Sequence, residues 1–201
     1  MRESEKYPVK VLVGGRDCGK TTFAVGDPKI GVAGDVPSKC KEQNLKGVIV
    51  IDTMRERTTY AHVKKINHPS EYKSGAVHLI VNTKNCDEMV QWICDNVKDT
   101  YLLFEDAVKI IPQSVRSTPY DAIVVDSKNI HCPVTFIYHS WMDVPKGFYS
   151  KIDIIEIFKV RQHPSRRKED ISNYEEVVEA YERVLKHKNP FYHESVNIGA
   201  W

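Results

Sequence analysis

Apolar residues along this chain fall into short continuous runs, separated by polar stretches and by segments of helical spacing. Val9, Val11, Leu12 and Val13 make the first run, which reads as a buried strand. A short helix over Thr21–Val25 follows and is stopped by Gly26-Asp27-Pro28; an irregular stretch then continues to about Pro37, with a helical turn around Ser38–Asn44. The pattern predicts further strands at Gly47–Asp52, Ala76–Asn82, Tyr101–Phe104, Val134–Tyr138 and Ile152–Val160, and a last edge strand at Phe191–Val196. Thr53–Ser74 is polar and basic, with periodicity too weak for more than a loop or short helix. Helical spacing returns in Asn85–Val97, where Met89, Val90, Ile93, Cys94 and Val97 share a face and Asn85 or Asp87 can cap. Pro112 to about Ser127 should be helical at least from Pro119, which suits a first turn, and Val144–Tyr149 is a candidate short helix. Asn173–Lys186 is amphipathic, with Tyr174, Val177, Val178, Tyr181, Val184 and Leu185 on one side. Strands alternating with helices in this way predict an α/β fold, a mostly parallel central sheet flanked by helices on both faces. No repeat or linker interrupts the pattern, so residues 1–201 are expected to form one domain.

Chemistry enters where the first strand ends. Gly14, four intervening residues and then Gly19-Lys20-Thr21 complete a G-x-x-x-x-G-K-[ST] phosphate loop in the context the motif requires. Gly14, Gly15, Arg16, Asp17, Cys18, Gly19, Lys20, Thr21 and Thr22 are therefore the expected nucleotide-binding residues. The glycines let the backbone curl until successive N–H groups face one anion. Lys20 is placed to reach the β/γ-phosphates and the Thr21 hydroxyl to ligate Mg²⁺, so ATP and Mg²⁺ are the implied ligands.

Composition narrows the setting. A net charge of +2 leaves no global nucleic-acid signature, so any such site must be a local patch. The stretch MRESEKYP is charged and lacks the apolar core of a secretory signal, and no apolar run is long enough to span a membrane. Five cysteines, an odd number without a C-x-x-C pair, fit a reduced cytoplasmic setting better than a disulfide framework or zinc site. Cys18, inside the phosphate loop, is a small filler in its simplest reading.

A phosphate loop alone does not separate kinases, switches and motors. Tyr101–Ala107, YLLFEDA, adds an apolar strand that ends in two acids, the form of a Walker B element. One carboxylate of such a pair holds the Mg²⁺ shell and its neighbour polarises the attacking water, which points to hydrolysis of ATP. Strands often end in a solvated acid; what gives this pair weight is its place downstream of a complete phosphate loop. Val134–Trp141, VTFIYHSW, would then set His139 and Ser140 between loop and acids as γ-phosphate sensors, although a histidine at a strand end is commonly structural.

GGRDCGKTT, LLFEDA, the passage DSKNIHCPVTFIYHSW and the strand DIIEIFKV together resemble the FtsK–HerA superfamily of P-loop translocases. The nearest likeness is to the genome-packaging ATPases of tailless, membrane-containing viruses, and it spans nearly the whole chain. The resemblance implies a P-loop NTPase fold of the RecA/ASCE type and an ATPase that moves DNA as a homo-oligomeric ring, in the host cytoplasm or on the virion. Viral capsid or membrane proteins are further candidate partners. By the same resemblance Lys20, Glu105, Asp106, His139 and Ser140 are catalytic, with Thr21 and Glu105 on Mg²⁺. The chain departs from the family in three places. The acidic pair runs Glu105 then Asp106 where the family has Asp then Glu, so the two roles can be exchanged. His139-Ser140 replaces a Thr-Gln or Ser-Gln sensor. No arginine occupies the usual trans position, which leaves Lys128, Arg116 or another residue as the cation offered to a neighbouring subunit.

Basic clusters complete the picture. Arg55, Arg57, Lys64 and Lys65 make the segment Arg55–Lys73 the preferred pore-lining candidate, ahead of Arg161, Arg166-Arg167-Lys168 and Lys186-His187-Lys188. Two other functions fit the loop: a nucleotide or small-molecule kinase with Arg161–Lys168 as its lid, and a slow nucleotide-dependent assembly switch.

Overall fold

A computed structural model describes residues 7–27, 32–111 and 119–199. In chain order the strands are β1 (Val9–Val13), β2 (Gly26–Asp27), β3 (Val32–Ala33), β4 (Gly47–Asp52), β5 (Lys64–Ile66), β6 (Gly75–Ile80), β7 (Tyr101–Phe104), β8 (Val134–Tyr138), β9 (Ile154–Ile157) and β10 (Glu194–Asn197). The α-helices are α1 (Lys20–Val25), α2 (Asp35–Glu42), α3 (Cys86–Asn96), α4 (Pro119–Asp126) and α5 (Tyr174–Lys186). Eight strands form one sheet in the order β10-β9-β1-β8-β7-β4-β6-β5, while β2 and β3 pair separately as a two-stranded ladder. All neighbours in the large sheet run parallel except β10, which lies antiparallel on β9 at the edge.

The continuous apolar runs are the central strands, as expected of a parallel sheet covered on both faces. Every residue of β1, β7 and β8 is buried, Lys10 and Thr135 included. Alternate positions divide into two cores. Val9, Val11, Val13, Leu102, Phe104, Val134 and Phe136 pack with residues of α3, α4 and α5. Leu12, Leu103 and Ile137 face the other way, toward Ala24 of α1, Val36 of α2 and Tyr60. Lys10 is tolerated in a central strand because its ammonium meets Asp35 of α2 at 2.8 Å and Glu156 of β9 at 4.0 Å.

The irregular parts differ in detail from the sequence pattern. α2 starts at Asp35, ahead of the turn expected at Ser38–Asn44. Thr53–Ser74 contains an unexpected strand, β5, too short at three residues to show a periodicity. The final strand begins at Glu194, so Phe191 stands in the preceding turn. Pro112 to Thr118, where the α4 pattern was extended, lies outside the described residues.

Register sets the functional level. Val13 pairs with Tyr138, Phe104 with Phe136, and Ile51 with Phe104. Asp52, the last residue of β4, and Gly14, His139 and Glu105-Asp106, just beyond the other strand ends, gather along the carboxyl edge where open α/β sheets place their ligand crevices. Arg167, in the segment proposed as a lid, is spent elsewhere. It is buried, and its guanidinium donates to the carbonyls of Trp141, Met142 and Val144. Arg167→Met should therefore lower the unfolding free energy by about 3 kcal/mol, since buried acceptors would lose their donor; urea denaturation with an unchanged m-value checks it.

Candidate nucleotide site and its acidic network

The phosphate loop is held open by its surroundings more than by its helix. The amide of Gly14 donates to the Tyr138 carbonyl at 3.3 Å and that of Gly15 to the Lys159 carbonyl at 2.8 Å, pinning the loop to both neighbouring strands. A Cβ on Gly14 would lie 2.5 Å from Phe158 Cβ and 2.7 Å from Cys18 Sγ, so only glycine fits there. Gly19 caps α1 with φ +89°, in the left-handed region. α1 has only six residues, so its dipole is short and anion binding falls mainly to the loop amides and Lys20. Arg16 and Asp17 are exposed at the tip, whereas Cys18 is buried and its thiol donates to the Gly15 carbonyl at 3.0 Å.

Lys20 is buried, and its ammonium lies inside the loop, donating to the carbonyls of Gly14 at 2.7 Å and Gly15 at 2.5 Å. Burial lowers its pKa, an effect opposed by Cys18 and by the negative fields of Glu105 and Asp106. The loop lysine thus already senses the acidic pair across the intervening strand.

β7 delivers that pair in two directions. Glu105 is buried and accepts from the Tyr60 hydroxyl at 2.6 Å, and the nearby Thr21 hydroxyl also favours its charged form. Desolvation raises its pKa despite these bonds and the Arg57 charge 3.9 Å away. Asp106 turns the other way because its backbone is left-handed, φ 47°. His139 Nε2 lies 2.6 Å from one of its oxygens; Arg57 and Lys109 donate to the other at 3.2 and 2.9 Å. The His139 bond, with those two cations, holds the Asp106 carboxyl well below the usual range despite its burial. Ser140 is half-buried at the start of the next turn, and the contact with the acids is made by His139.

Three residues of this cluster, Asp52, Tyr60 and His78, were not among the sequence candidates, and a fourth, Arg57, was expected only as a pore-lining cation. Asp52, fully buried at the end of β4, accepts from Arg57 Nε at 2.6 Å, from Arg57 Nη2 at 3.1 Å and from the Met54 amide at 3.0 Å. Burial favours its neutral form, but His78, Arg57 and the Met54 amide lower its pKa on balance. Buried His78 places Nε2 3.4 Å from Asp52, while neither ring nitrogen finds a well-directed hydrogen bond. Arg57 thus bridges Asp52, Glu105 and Asp106. Burial opposes the guanidinium's charge, yet Asp52 and the other two acids raise its pKa overall. That removes Arg57 from the basic surface expected of Arg55–Lys73, and Lys65 is paired with Glu56 at 3.1 Å. GVIVID ends in an acid just as YLLFED does, a signal that could have found Asp52; nothing in the spacing marks Arg57 or Tyr60 as inward-facing.

Thr21 and Glu105, a hydroxyl and a carboxylate near each other beside the loop, are the hard oxygen donors that suit Mg²⁺, which keeps most of its shell as water and phosphate oxygen. Lys128 stands at the opposite end of the sheet, 3.2 Å from Asp153, whose other oxygen accepts the amide of Val9 at the start of β1. Arg116 lies outside the described residues.

No family model matches the chain, and no curated protein matches its sequence. Solved structures do match. The genome packaging NTPase B204 from Sulfolobus turreted icosahedral virus 2, in complex with AMPPCP, is similar at TM-score 0.73 and 17% identity, over 96% of this chain and 93% of that one. Its complex with ATP-gammaS gives 0.69 at 18% identity, with coverage of 96% and 93%. B204, the DNA-packaging ATPase from Sulfolobus Turreted Icosahedral Virus, gives 0.66 at 15% identity, over 95% and 92%. The fold expected from the motifs is borne out: the chain shares the architecture of B204, a P-loop-type α/β fold, over nearly its whole length.

The two acids should respond oppositely to neutralisation. Asp106 has a lowered pKa, so its contribution to stability is present above the unfolded value near 4 and lost as pH falls through the folded one. Asp106→Asn should therefore destabilise the fold at pH 7, and that cost should shrink only as pH falls below about 4 toward the lowered folded value. Glu105 has a raised pKa, so its ionisation costs stability as pH rises from about 4.5 through the folded value. Glu105→Gln should raise the melting temperature at pH 8 by roughly 2–4 °C, the shift of about 1 kcal/mol in a chain of this size, with the gain shrinking toward pH 4. Calorimetric scans of both variants across pH test the pair.

Proposed function

We propose that this chain is an ATP-hydrolysing DNA translocase, the motor subunit of a viral genome-packaging machine, with residues 1–201 forming one ATPase domain. The observation that carries the reading is the meeting, across β8, of the phosphate loop and a two-acid strand end: Lys20 in the field of both acids, and His139 on Asp106 at 2.6 Å. Of the arginines in the candidate kinase lid, Arg167 is a fixed clamp under Trp141–Val144, which leaves only the arginines Arg161 and Arg166 exposed in that segment. The fold shared with B204 supports the same reading.

The loop amides and Lys20 hold the triphosphate, and the fields of Glu105 and Asp106 oppose the lowering of the Lys20 pKa by burial. Thr21 and Glu105 would hold Mg²⁺, which supplies positive charge for the β- and γ-phosphate oxygens. Asp106 is fixed as an ionised acceptor by His139, Lys109 and Arg57, which suits it to orient the attacking water beside the His139 imidazole. Hydrolysis falls between subunits of a homo-oligomeric ring, a neighbour supplying the missing trans cation. The work is done in the host cytoplasm or at the virion, against capsid or membrane proteins, and no helix among the described residues is long and apolar enough to cross a membrane.

DNA contact is assigned to the outer side of Thr53–Ser74, where Arg55, Lys64 and Lys73 are exposed. The inner side of that segment supplies Arg57 and Tyr60 to the acids. Contact with a phosphate backbone and control of hydrolysis therefore lie on two sides of one short segment.

Lys20→Ala should reduce ATP turnover at least 100-fold, measured by phosphate release with and without double-stranded DNA. DNA should stimulate the parent, and the double substitution Arg55→Ala/Lys64→Ala should weaken that stimulation while leaving basal turnover intact. Transfer of phosphate to a nucleoside monophosphate, with no response to DNA, would sink the motor in favour of a kinase.

A further inference from the structure

Strand order fixes which way a bound nucleoside triphosphate must run. The phosphate loop follows β1; on one side of β1, β8 and β7 bring His139, Glu105 and Asp106, and on the other lie β9 and β10. With the terminal phosphate toward the acids, the nucleoside leaves on the β9–β10 side. There the turn from His187 to Tyr192, which leads into β10, folds back against the loop.

At the crest of that turn stands Phe191. It is the most exposed large hydrophobic side chain among the described residues, at 59%, and its ring abuts the phosphate loop. A Cβ built on Gly19 would lie 3.0 Å from Phe191 Cδ1, so only the absence of a side chain at Gly19 brings ring and loop backbone together. The turn is firmly built. Asn189 Oδ1 accepts the Phe191 amide at 2.9 Å, and His187 Nδ1 accepts the Asn189 amide at 3.2 Å. Lys159, whose own carbonyl accepts the Gly15 amide of the loop, donates its ammonium to the His187 carbonyl at 2.5 Å. His187 and Tyr192 stack at 3.8 Å. An apolar ring displayed to water on a rigid turn, in contact with a phosphate loop, is the arrangement that receives a planar π-system.

We propose that Phe191 is the platform on which the nucleobase of the bound triphosphate stacks; this rests on reading Gly14–Thr22 as the triphosphate site. Recognition is by the face of the base. The Asn189 Oδ1, His187 Nδ1 and Tyr192 hydroxyl groups are committed to the turn and to Glu194, so they do not read base edges. The ligand class is accordingly nucleoside triphosphates with little discrimination between bases and a preference for the larger purine face.

The test is equilibrium binding to the full chain, which needs neither hydrolysis nor DNA. Phe191→Ala should weaken a non-hydrolysable ATP analogue roughly 10-fold or more while leaving inorganic tripolyphosphate affinity and the melting temperature unchanged, and Phe191→Trp should restore analogue binding. Equal loss of both ligands would mean that the ring only supports the loop, and no loss of either would mean that it faces something else; both outcomes overturn the platform. A parent chain that binds neither ligand overturns the loop reading and the platform with it. Analogue binding that depends on Phe191, in a chain whose turnover ignores DNA, would overturn the motor and leave the platform standing.

Discussion

Two neighbouring strands, β4 and β7, end in Asp52, Glu105 and Asp106, and all three carboxyl groups are buried within reach of one guanidinium. Like charges so placed cannot all remain ionised in a low-dielectric setting without compensation. Arg57 supplies most of it, with His139 and Lys109 at Asp106 and the Tyr60 hydroxyl at Glu105. The solution is uneven. Asp52 and Asp106 are held ionised, while Glu105, farthest from the guanidinium at 3.9 Å, is pushed toward its neutral form. That inequality distinguishes two adjacent carboxylates that the sequence cannot tell apart. It sets the one near Thr21 where an added cation is most needed and leaves the other a fixed acceptor.

The rest of the carboxyl edge depends on keeping this cluster in register. Because Phe104 lies opposite Phe136 and Val13 opposite Tyr138, the loop, the His139 imidazole and the acids stop at a common level. β8 is the spacer: it keeps Lys20 close enough to sense both acids without an ion pair, so the ammonium rests on loop carbonyls instead. A direct Lys20 bridge to Glu105 would have closed the site on itself. Fully buried central strands make that spacing stiff, since sliding β8 by one residue would turn Phe136 and Tyr138 out of one core and into the other.

Where the physics is local, the sequence carried it. Gly47–Asp52, Tyr101–Phe104 and Val134–Tyr138 were legible to the residue because continuous apolar runs have sharp polar borders. The phosphate loop and the Glu105-Asp106 pair were legible because their chemistry demands fixed residue types at fixed spacing. Arg57 was not: an arginine in a basic stretch looks like surface charge, and only the pairing of β4 with β7 reveals that it faces three acids. Tyr60 and β5 were hidden for the same reason, being defined by what the fold brings opposite them. Phe191 reads as the first apolar residue of an edge strand and lies outside it, because the Asn189 side chain claims its amide for a turn.

The position of Phe191 shows how the two ends of the chain become one site. The antiparallel pairing of β10 with β9 reverses the chain after α5, and that reversal lays the His187–Tyr192 turn over the loop that follows β1. A parallel last strand would have entered from the opposite edge of the sheet and left the shoulder of Gly19 bare. The single antiparallel strand of the large sheet is thus also the feature that lays an aromatic turn against the loop on the side away from the acids. The sheet thereby gives the loop after β1 two unlike walls, charged on the side of β7 and β8 and aromatic on the side of β10.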